Sequence, residues 1–289
     1  TYNFLKIVRH LFGWTLAPAY LEMYNYAFTN GVLGIQWGPD KPGVMLYLLP
    51  LGVGVTKGNS SRGWGTPFNS FWCCYGTGVE SFAKLADSIY FREAESATVV
   101  VARYTPSTLE YTAFGNHRVT FSQTRAANGS AVLTVDTATP LTLTVKLLIP
   151  SWAAGATVVV NRKRFPSDLV TAGELAVVKR TWHAGDSVTV TLPATVRLRK
   201  LDDNRTAYSG TYSFVYGDTL LVGIESAVGN VSNTLEVSSL DPTEWVRQTA
   251  DGSLRFTVDA NRKLSLMPLN EVVAQRYTVY YNLVVHPGV

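Results

Sequence analysis

The first ninety residues carry apolar side chains at the spacing of amphipathic helices. One face of a first helix is formed by Phe4, Leu5, Val8, Leu11 and Phe12. A second helix is predicted to begin at Pro18, because proline suits the first helical position, and to end at Asn30-Gly31, a common terminator. Residues 45–50 form a short apolar stretch that predicts a strand or an extended segment.

A third helix is predicted after a long polar loop. The loop, residues 52–69, is rich in Gly, Asn and Ser and is too long for a simple connection, which makes it a candidate functional loop. The buried face of the helix is expected to consist of Val79, Phe82, Ala83, Ala86 and Ile89. Thr77 and Glu80 stand at the spacing of a capping box, in which each side chain satisfies a free backbone donor at the helix start.

After Glu93 the pattern changes to alternation of apolar and polar residues. Strand-like stretches cover residues 98–102, 132–135, 141–145, 158–160, 188–192, 256–258 and 277–281. The turns between them carry Gly, Asn or Pro. Many short strands at this spacing predict β-sandwich domains, with no long helix between residues 100 and 289.

Composition narrows the class of protein. Of the 289 residues, 46% are apolar and 16% are charged, which favours a well-packed core over disorder. The net charge of +4 is scattered along the chain, which argues against a nucleic-acid-binding face. No apolar run approaches the roughly 20 residues that span a bilayer. The chain opens at Thr1 inside a helical pattern, which favours a fragment over a chain that has lost a leader.

The strongest candidate for chemistry is the pair Cys73-Cys74, the only two cysteines in the sequence. A thiolate beside a helix N-terminus is stabilised by free N–H groups, which lowers its pKa. Two small buried residues and a vicinal disulfide are the alternatives. Zinc needs three or four protein ligands, and the isolated histidines offer no obvious partner, so any further ligands are expected outside this chain.

Aromatic residues cluster in sequence around the polar loop and the cysteines. They are Trp37, Tyr47, Trp64, Phe71, Trp72 and Tyr75. Sugars present apolar faces with polar edges, so such rings suit a sugar pocket, although ordinary core aromatics would give the same pattern. Glu80 is explained by helix capping, and no pair of catalytic carboxylates stands out.

The sequence around the cysteine pair is similar to that of a known protein family. Residues 70–91, which contain the cysteine pair, resemble the long plant-type members of glycoside hydrolase family 127. Further similar stretches are residues 1–6, 33–36, 45–52, 149–152 and 276–280. The resemblance implies a multidomain α + β chain. Residues 1–92 would be the C-terminal part of an (α/α)6 barrel, residues 93–200 an antiparallel β-sandwich, and residues 201–289 a second β-rich segment or sandwich.

The resemblance also implies the chemistry. The family's characterised members are retaining β-L-arabinofuranosidases that hold zinc with one Glu and three Cys. Cys73 would be the nucleophile and a metal ligand, and Cys74 a zinc ligand. Tyr47 would contact the sugar, and Trp72 is assigned to substrate binding with it. A Glu-x-Cys pattern just before Thr1 and an acid/base glutamate farther upstream would complete the site.

Several expectations follow from that assignment. The Zn²⁺ site is incomplete in this chain, so the fragment alone would be inactive, and a barrel represented by about three helices would expose core residues such as Phe4, Leu11 and Phe28. The substrate would be an arabinose-containing oligosaccharide or glycoprotein glycan, in a secreted or cell-wall setting. Tyr75-Gly76 replaces a proline pair of bacterial members, which makes the sugar less certain than the chemistry.

Two other classes remain open. A non-catalytic carbohydrate-binding or structural module would use the cysteines only to brace a fold. A zinc-dependent redox protein lacks the usual dithiol spacing.

Overall fold

The computed structural model describes residues 1–94, 96–112, 117–225, 232–259 and 261–286, and the described chain is mostly β with few helices. The α-helices are α1 (Tyr2–Thr15), α2 (Pro18–Ala27) and α3 (Cys73–Glu80). The first eleven strands are β1 (Val55–Thr56), β2 (Tyr90–Arg92), β3 (Thr98–Val101), β4 (Ser107–Thr112), β5 (Arg118–Arg125), β6 (Ala131–Thr137), β7 (Leu141–Ile149), β8 (Thr157–Val160), β9 (Lys163–Arg164), β10 (Glu174–Trp182) and β11 (Ser187–Thr191). The remaining strands are β12 (Val196–Lys200), β13 (Thr211–Tyr216), β14 (Thr219–Glu225), β15 (Thr234–Val237), β16 (Val246–Gln248), β17 (Phe256–Val258), β18 (Asn261–Pro268), β19 (Arg276–Thr278) and β20 (Tyr281–Val285).

The first helix buries part of its predicted face, and the second helix has its predicted start but not its predicted end. Helix α1 buries Leu5, Val8 and Phe12, whereas Phe4 is exposed. Helix α2 begins at Pro18 as expected, but a π-helical turn, Phe28–Val32, carries the chain past the predicted stop. The amide of Asn30 explains the error, because it donates to the carbonyl of Asp218 and accepts from the N–H of Leu220. Asn30 therefore holds the turn between β13 and β14 rather than ending a helix.

The third helix begins five residues earlier than predicted, because its N-cap is Trp72 and not Thr77. Helix α3 starts at Cys73 after Trp72, which makes no side-chain capping bond, so the proposed capping box is wrong. Thr77 and Glu80 lie inside the helix, and Val79 and Phe82 are exposed. The physical reason is close packing on the opposite side, where Gly78 lies against the Met45 side chain.

The described chain forms two compact units. One consists of Lys6–Asn25 and Ala83–Ala194. Its strands form a four-stranded sheet in the order β10-β7-β3-β2 and a six-stranded sheet in the order β4-β5-β6-β11-β8-β9. Alternate residues of both sheets share one core around the fully buried Trp182, as the period-2 pattern predicts for a sandwich.

The other unit consists of Thr1–Leu5, Tyr26–Phe82 and Thr195–Val289. Its strands, β1 and β12 to β20, belong to one ten-stranded sheet. One face of the sheet buries Phe214 and Tyr281 in a core of its own. The other face carries a second core, against which Tyr26 and Leu49 pack. Both belong to residues 26–82, which contain α3 and are called the helical segment below. The helical segment is thus packed onto the sheet.

The strand expectations hold except at residues 277–281, which are divided between β19 and β20 by two residues outside both strands. Residues 141–145 and 188–192 lie in or overlap β7 and β11, and the helical segments described after residue 92 are three-residue 3₁₀ turns. Pairing is antiparallel except for β3 with β7 and β15 with β20, which run parallel. The (α/α)6 barrel and the domain divisions after residues 92 and 200 stay predictions. No helix of the described residues is long and apolar enough to span a bilayer.

Candidate functional site

The cysteine pair occupies the first turn of α3. Cys73 is exposed and Cys74 is half-buried, and their Sγ atoms lie 3.9 Å apart. The pair is unoxidised, and it stands where the free N–H groups of a helix start favour negative charge. The expected position at a helix N-terminus is confirmed, although the capping box that motivated it is not.

Tyr47 is the nearest polar partner of the pair. Its hydroxyl lies 3.1 Å from the Cys73 Sγ. This hydrogen bond lowers the pKa of the Cys73 thiol, and the contact with the same thiol raises the pKa of Tyr47 to about 12. Tyr47 therefore keeps its proton where Cys73 has lost its own, so the hydroxyl donates to a thiolate.

The polar loop is fastened to α3 by Tyr75. The buried Tyr75 hydroxyl lies 2.9 Å from the carbonyl oxygen of Arg62 and 3.0 Å from that of Gly63. Gly63 has a φ of +53° and a Cβ there would lie 2.6 Å from the Gly58 carbonyl oxygen, so only glycine fits. The ring of Tyr75 also packs edge-on against Tyr47 at 5.2 Å. One side chain thus positions both the loop and the partner of the thiol.

Trp72 and Arg62 form the outer rim of the site. The Arg62 guanidinium lies 3.3 Å from the centre of the Trp72 ring, a cation–π contact. Trp72 is 52% exposed and the neighbouring Phe71 is 88% exposed. Trp72 therefore presents ring surface directly beside Cys73.

Lys57 anchors the base of the loop. It is fully buried, and its ammonium donates to the carbonyl oxygens of Gly34 at 2.6 Å and Leu269 at 2.9 Å. Burial lowers the pKa of Lys57 to about 7. The Trp64 ring lies 5.7 Å from the same ammonium and packs edge-on against Trp37.

A cavity of about 640 Å³ adjoins the pair on the Cys74 side. The helical segment lines it with Tyr26, Asn30, Tyr47, Cys74 and Gly78, and the sheet with Arg199, Lys200, Asp202 and Ser213. Thr1 also lines this cavity.

The predicted site residues are thus brought together in part. The structure brings Tyr47, Cys73 and Cys74 into contact, with Trp72 next to them in sequence. Trp37 and Trp64 pack against each other as a separate pair. Within the described residues no third acidic, cysteine or histidine side chain joins the pair to make a metal cluster. Arg62 and Lys57 were missed, because a loop arginine and a loop lysine carry no periodic signal. The glycine that follows Arg62, in a loop containing aromatic residues, was the one feature of the sequence that could have indicated a tight turn there.

Two family models match successive parts of this chain. Residues 1–87 match the family model described as β-L-arabinofuranosidase, GH127 catalytic domain, and residues 98–194 match the GH127 middle domain. Both models describe successive domains of one group of carbohydrate-active enzymes, and together they cover more than half of the chain. The chain belongs to glycoside hydrolase family 127, the β-L-arabinofuranosidase family.

Solved structures share the fold. A GH127 β-L-arabinofuranosidase from Geobacillus stearothermophilus T6 matches with a TM-score of 0.74 at 20% identity, covering 98% of this chain and 49% of that one. A structure described as a glycoside hydrolase gives 0.73 at 17% identity, covering 97% and 51%. A GH127 β-arabinofuranosidase gives 0.71 at 16% identity, covering 97% and 48%. The chain spans about half the length of these structures. No curated protein sequence matches it.

Proposed function

We propose that the whole protein is a retaining glycoside hydrolase that cleaves β-L-arabinofuranosides, with Cys73 as nucleophile. The observation that carries the proposal is the Tyr47 hydroxyl 3.1 Å from the Cys73 Sγ, at the start of a helix. An exposed thiol with a lowered pKa and a dedicated donor is poised to act as a nucleophile. Membership of family 127 supports the class of reaction.

The reaction has two steps in this proposal. The Cys73 thiolate attacks the anomeric carbon while the bond to the leaving oxygen breaks, and that oxygen takes a proton from an acid. Water then attacks the same carbon and gives a proton to the deprotonated acid, the carbon–sulfur bond breaks, and both the thiolate and the acid are restored. Tyr47 holds the thiolate by its hydrogen bond, and the exposed Trp72 ring offers an apolar surface to the sugar face.

The cysteine pair suits two positions of a zinc site. Tetrahedral coordination with Zn–S bonds of about 2.3 Å places two sulfur ligands about 3.8 Å apart. The Sγ atoms of Cys73 and Cys74 are 3.9 Å apart, so neither side chain needs to move far. Bound there, zinc would supply positive charge that keeps Cys73 deprotonated. The remaining ligands are proposed to be a Glu-x-Cys preceding Thr1, which would complete the coordination that two cysteines cannot supply.

This chain alone is therefore proposed to be inactive and to hold zinc weakly. Two thiolates leave the metal open to water, and loss of an acid costs on the order of a hundredfold or more in rate. The substrate is proposed to be an arabinose-containing oligosaccharide or glycoprotein glycan, met outside the cell or in the cell wall.

Release of nitrophenol from a β-L-arabinofuranoside tests the proposal. The full-length protein should turn over, this chain should not, and full-length Cys73→Ala should lose turnover by several orders of magnitude. Cys74→Ala should mainly lose bound zinc, measured by metal analysis. Robust turnover by full-length Cys73→Ala would refute the nucleophile. Sugar binding without turnover by the intact protein would favour a carbohydrate-binding module instead.

A further inference from the structure

The cavity beside Cys74 has no assigned role in the chemistry at Cys73. Its volume of about 640 Å³ lies within the range of roughly 300–1,000 Å³ that is usual for small-molecule sites. Tyr47 contacts the Cys73 sulfur and also lines the cavity, whereas Cys73 itself does not line it. A group in the cavity would therefore be a neighbour of the sugar at Cys73 rather than that sugar itself.

One part of the cavity wall is charged. It is formed by the end of β12 and the residues after it, which bring Arg199, Lys200 and Asp202 to the cavity. None of these three side chains makes an ion pair within the described part of the chain. Two cations and one anion leave this wall with a surplus of positive charge.

Arg199 is held in place before any ligand arrives. Its guanidinium lies 4.3 Å from the centre of the Tyr26 ring, a cation–π contact. Tyr26 in turn belongs to the core between the helical segment and the sheet. A stacked guanidinium loses little freedom on binding, and its planar donors match the two oxygens of a carboxylate.

We propose that this cavity binds a sugar unit bearing a carboxylate, next to the arabinofuranosyl unit, and that Arg199 selects for that carboxylate. The inference rests on the proposed function for the position of the neighbouring sugar. Polar groups for the ring are present in the Asn30 and Ser213 side chains that line the same cavity. The substrate class is thereby an acidic glycan rather than a neutral one.

Binding of two matched monosaccharides to this chain tests the inference. Methyl galacturonide and methyl galactoside differ only at C6, where one has a carboxylate and the other a hydroxymethyl group. At pH 7 and low salt, the acidic sugar should bind at least about tenfold more tightly, measured by NMR titration. The preference should shrink as sodium chloride is raised to 0.5 M, because salt screens the exposed charge.

Variants identify the residue responsible. Arg199→Gln should reduce the preference to about threefold or less, and Arg199→Lys should keep part of it, because the charge remains but the planar fork is lost. Arg164→Gln, at an exposed residue of β9, is the matched control and should change nothing. Thermal unfolding of each variant shows that it is folded.

Each other result overturns the inference. Equal affinities for the two sugars, an undiminished preference in Arg199→Gln, or no binding of either sugar would all refute it. Failure of the proposed function has a different signature. In that case full-length Cys73→Ala would keep its turnover while the sugar preference of this chain stayed intact.

Discussion

The Tyr47 hydroxyl lowers the pKa of the Cys73 thiol through a single hydrogen bond. Both side chains were predicted to belong to the site, but only the structure shows them in contact, at 3.1 Å. Tyr47 stands 26 residues before Cys73 in the chain. No periodicity connects residues that far apart, so the pairing depends on how the intervening loop folds.

Replacing Tyr47 by Phe should slow alkylation of Cys73. The hydrogen bond that lowers the thiol pKa is removed while the ring and its packing against Tyr75 remain. At pH 7 in the presence of a chelator, the iodoacetamide rate should fall about threefold to tenfold. Measurements in a Cys74→Ala background assign the rate to Cys73. An unchanged rate would mean that the helix start alone activates the thiol.

Lys57 predicts a pH dependence of stability. Its pKa of about 7 in the fold lies below the ordinary value of 10.5, so the unfolded chain holds a proton that the folded chain has released. Stability should therefore rise as pH increases from 7 to 10, by about 1 kcal/mol per pH unit from this group. Below pH 7 Lys57 is protonated in both the folded and the unfolded chain. Its contribution to the free energy of unfolding is then constant and at its least favourable value.

Lys57→Met should flatten that rise, measured by denaturant unfolding at several pH values. It should also lower the overall stability, because the carbonyls of Gly34 and Leu269 lose their donor. Lys41→Met, at an exposed lysine over Trp37, is the control that should keep the slope. Identical slopes in wild type and Lys57→Met would show that the buried amine keeps an ordinary pKa.

At the scale of elements, regular packing was predictable and the ends of helices were not. Alternation located β7 and β11 because one face of each strand is largely buried, whereas the four residues of β3 are all buried. Helix α3 was misplaced because Thr77 and Glu80 match a local capping signal, whereas its start depends on Tyr75 and Gly78 meeting distant partners. A local signal was outweighed by tertiary packing.

Two glycines of α3 give a matched test of that packing. A Cβ at Gly78 would lie 2.2 Å from the Met45 Sδ, whereas a Cβ at Gly76 would meet nothing within 4 Å. Gly78→Ala should destabilise the chain by about 1–3 kcal/mol through overpacking. Gly76→Ala should be neutral or stabilising by up to about 1 kcal/mol, since alanine favours a helix. Equal effects in denaturant unfolding would show that α3 does not rest on Met45.

At the scale of the whole molecule, the helices expose unusual apolar surface. Ile7 and Trp14 on α1 and Phe68 and Phe71 beside α3 are more than half exposed. The expectation of such a surface holds for Phe4, whereas Leu11 is half-buried and Phe28 is buried. The π-helical turn that begins at Phe28 contacts β14 of the ten-stranded sheet. The sheet could not be foreseen as a partner, since its strands lie far along the chain.

A hydrophobic dye should therefore bind the folded chain. Fluorescence enhancement at native conditions should fall substantially in an Ile7→Gln, Trp14→Gln double variant without loss of thermal stability, because both side chains face solvent. Leu169→Gln, at an isolated exposed position, is the control and should leave the signal unchanged. Background fluorescence in the wild-type chain would contradict the prediction.

Two hydrogen bonds join the loop to residues far away in sequence. The Lys57 ammonium donates to the carbonyl of Leu269, 212 residues later, and the N–H of Val279 donates to the carbonyl of Gly52. Contacts of such sequence separation form late, because the entropy of closing the long loop must be overcome first. During synthesis, at about 5–20 residues per second, the loop beside the cysteines must wait on the order of ten seconds or more for its support to be made. A chain whose synthesis stops before Leu269 thus contains both cysteines but lacks one of the two carbonyls that hold Lys57 at the base of the loop. The order of translation itself therefore delays the anchoring of the loop beside Cys73 and Cys74 until Leu269 has been made.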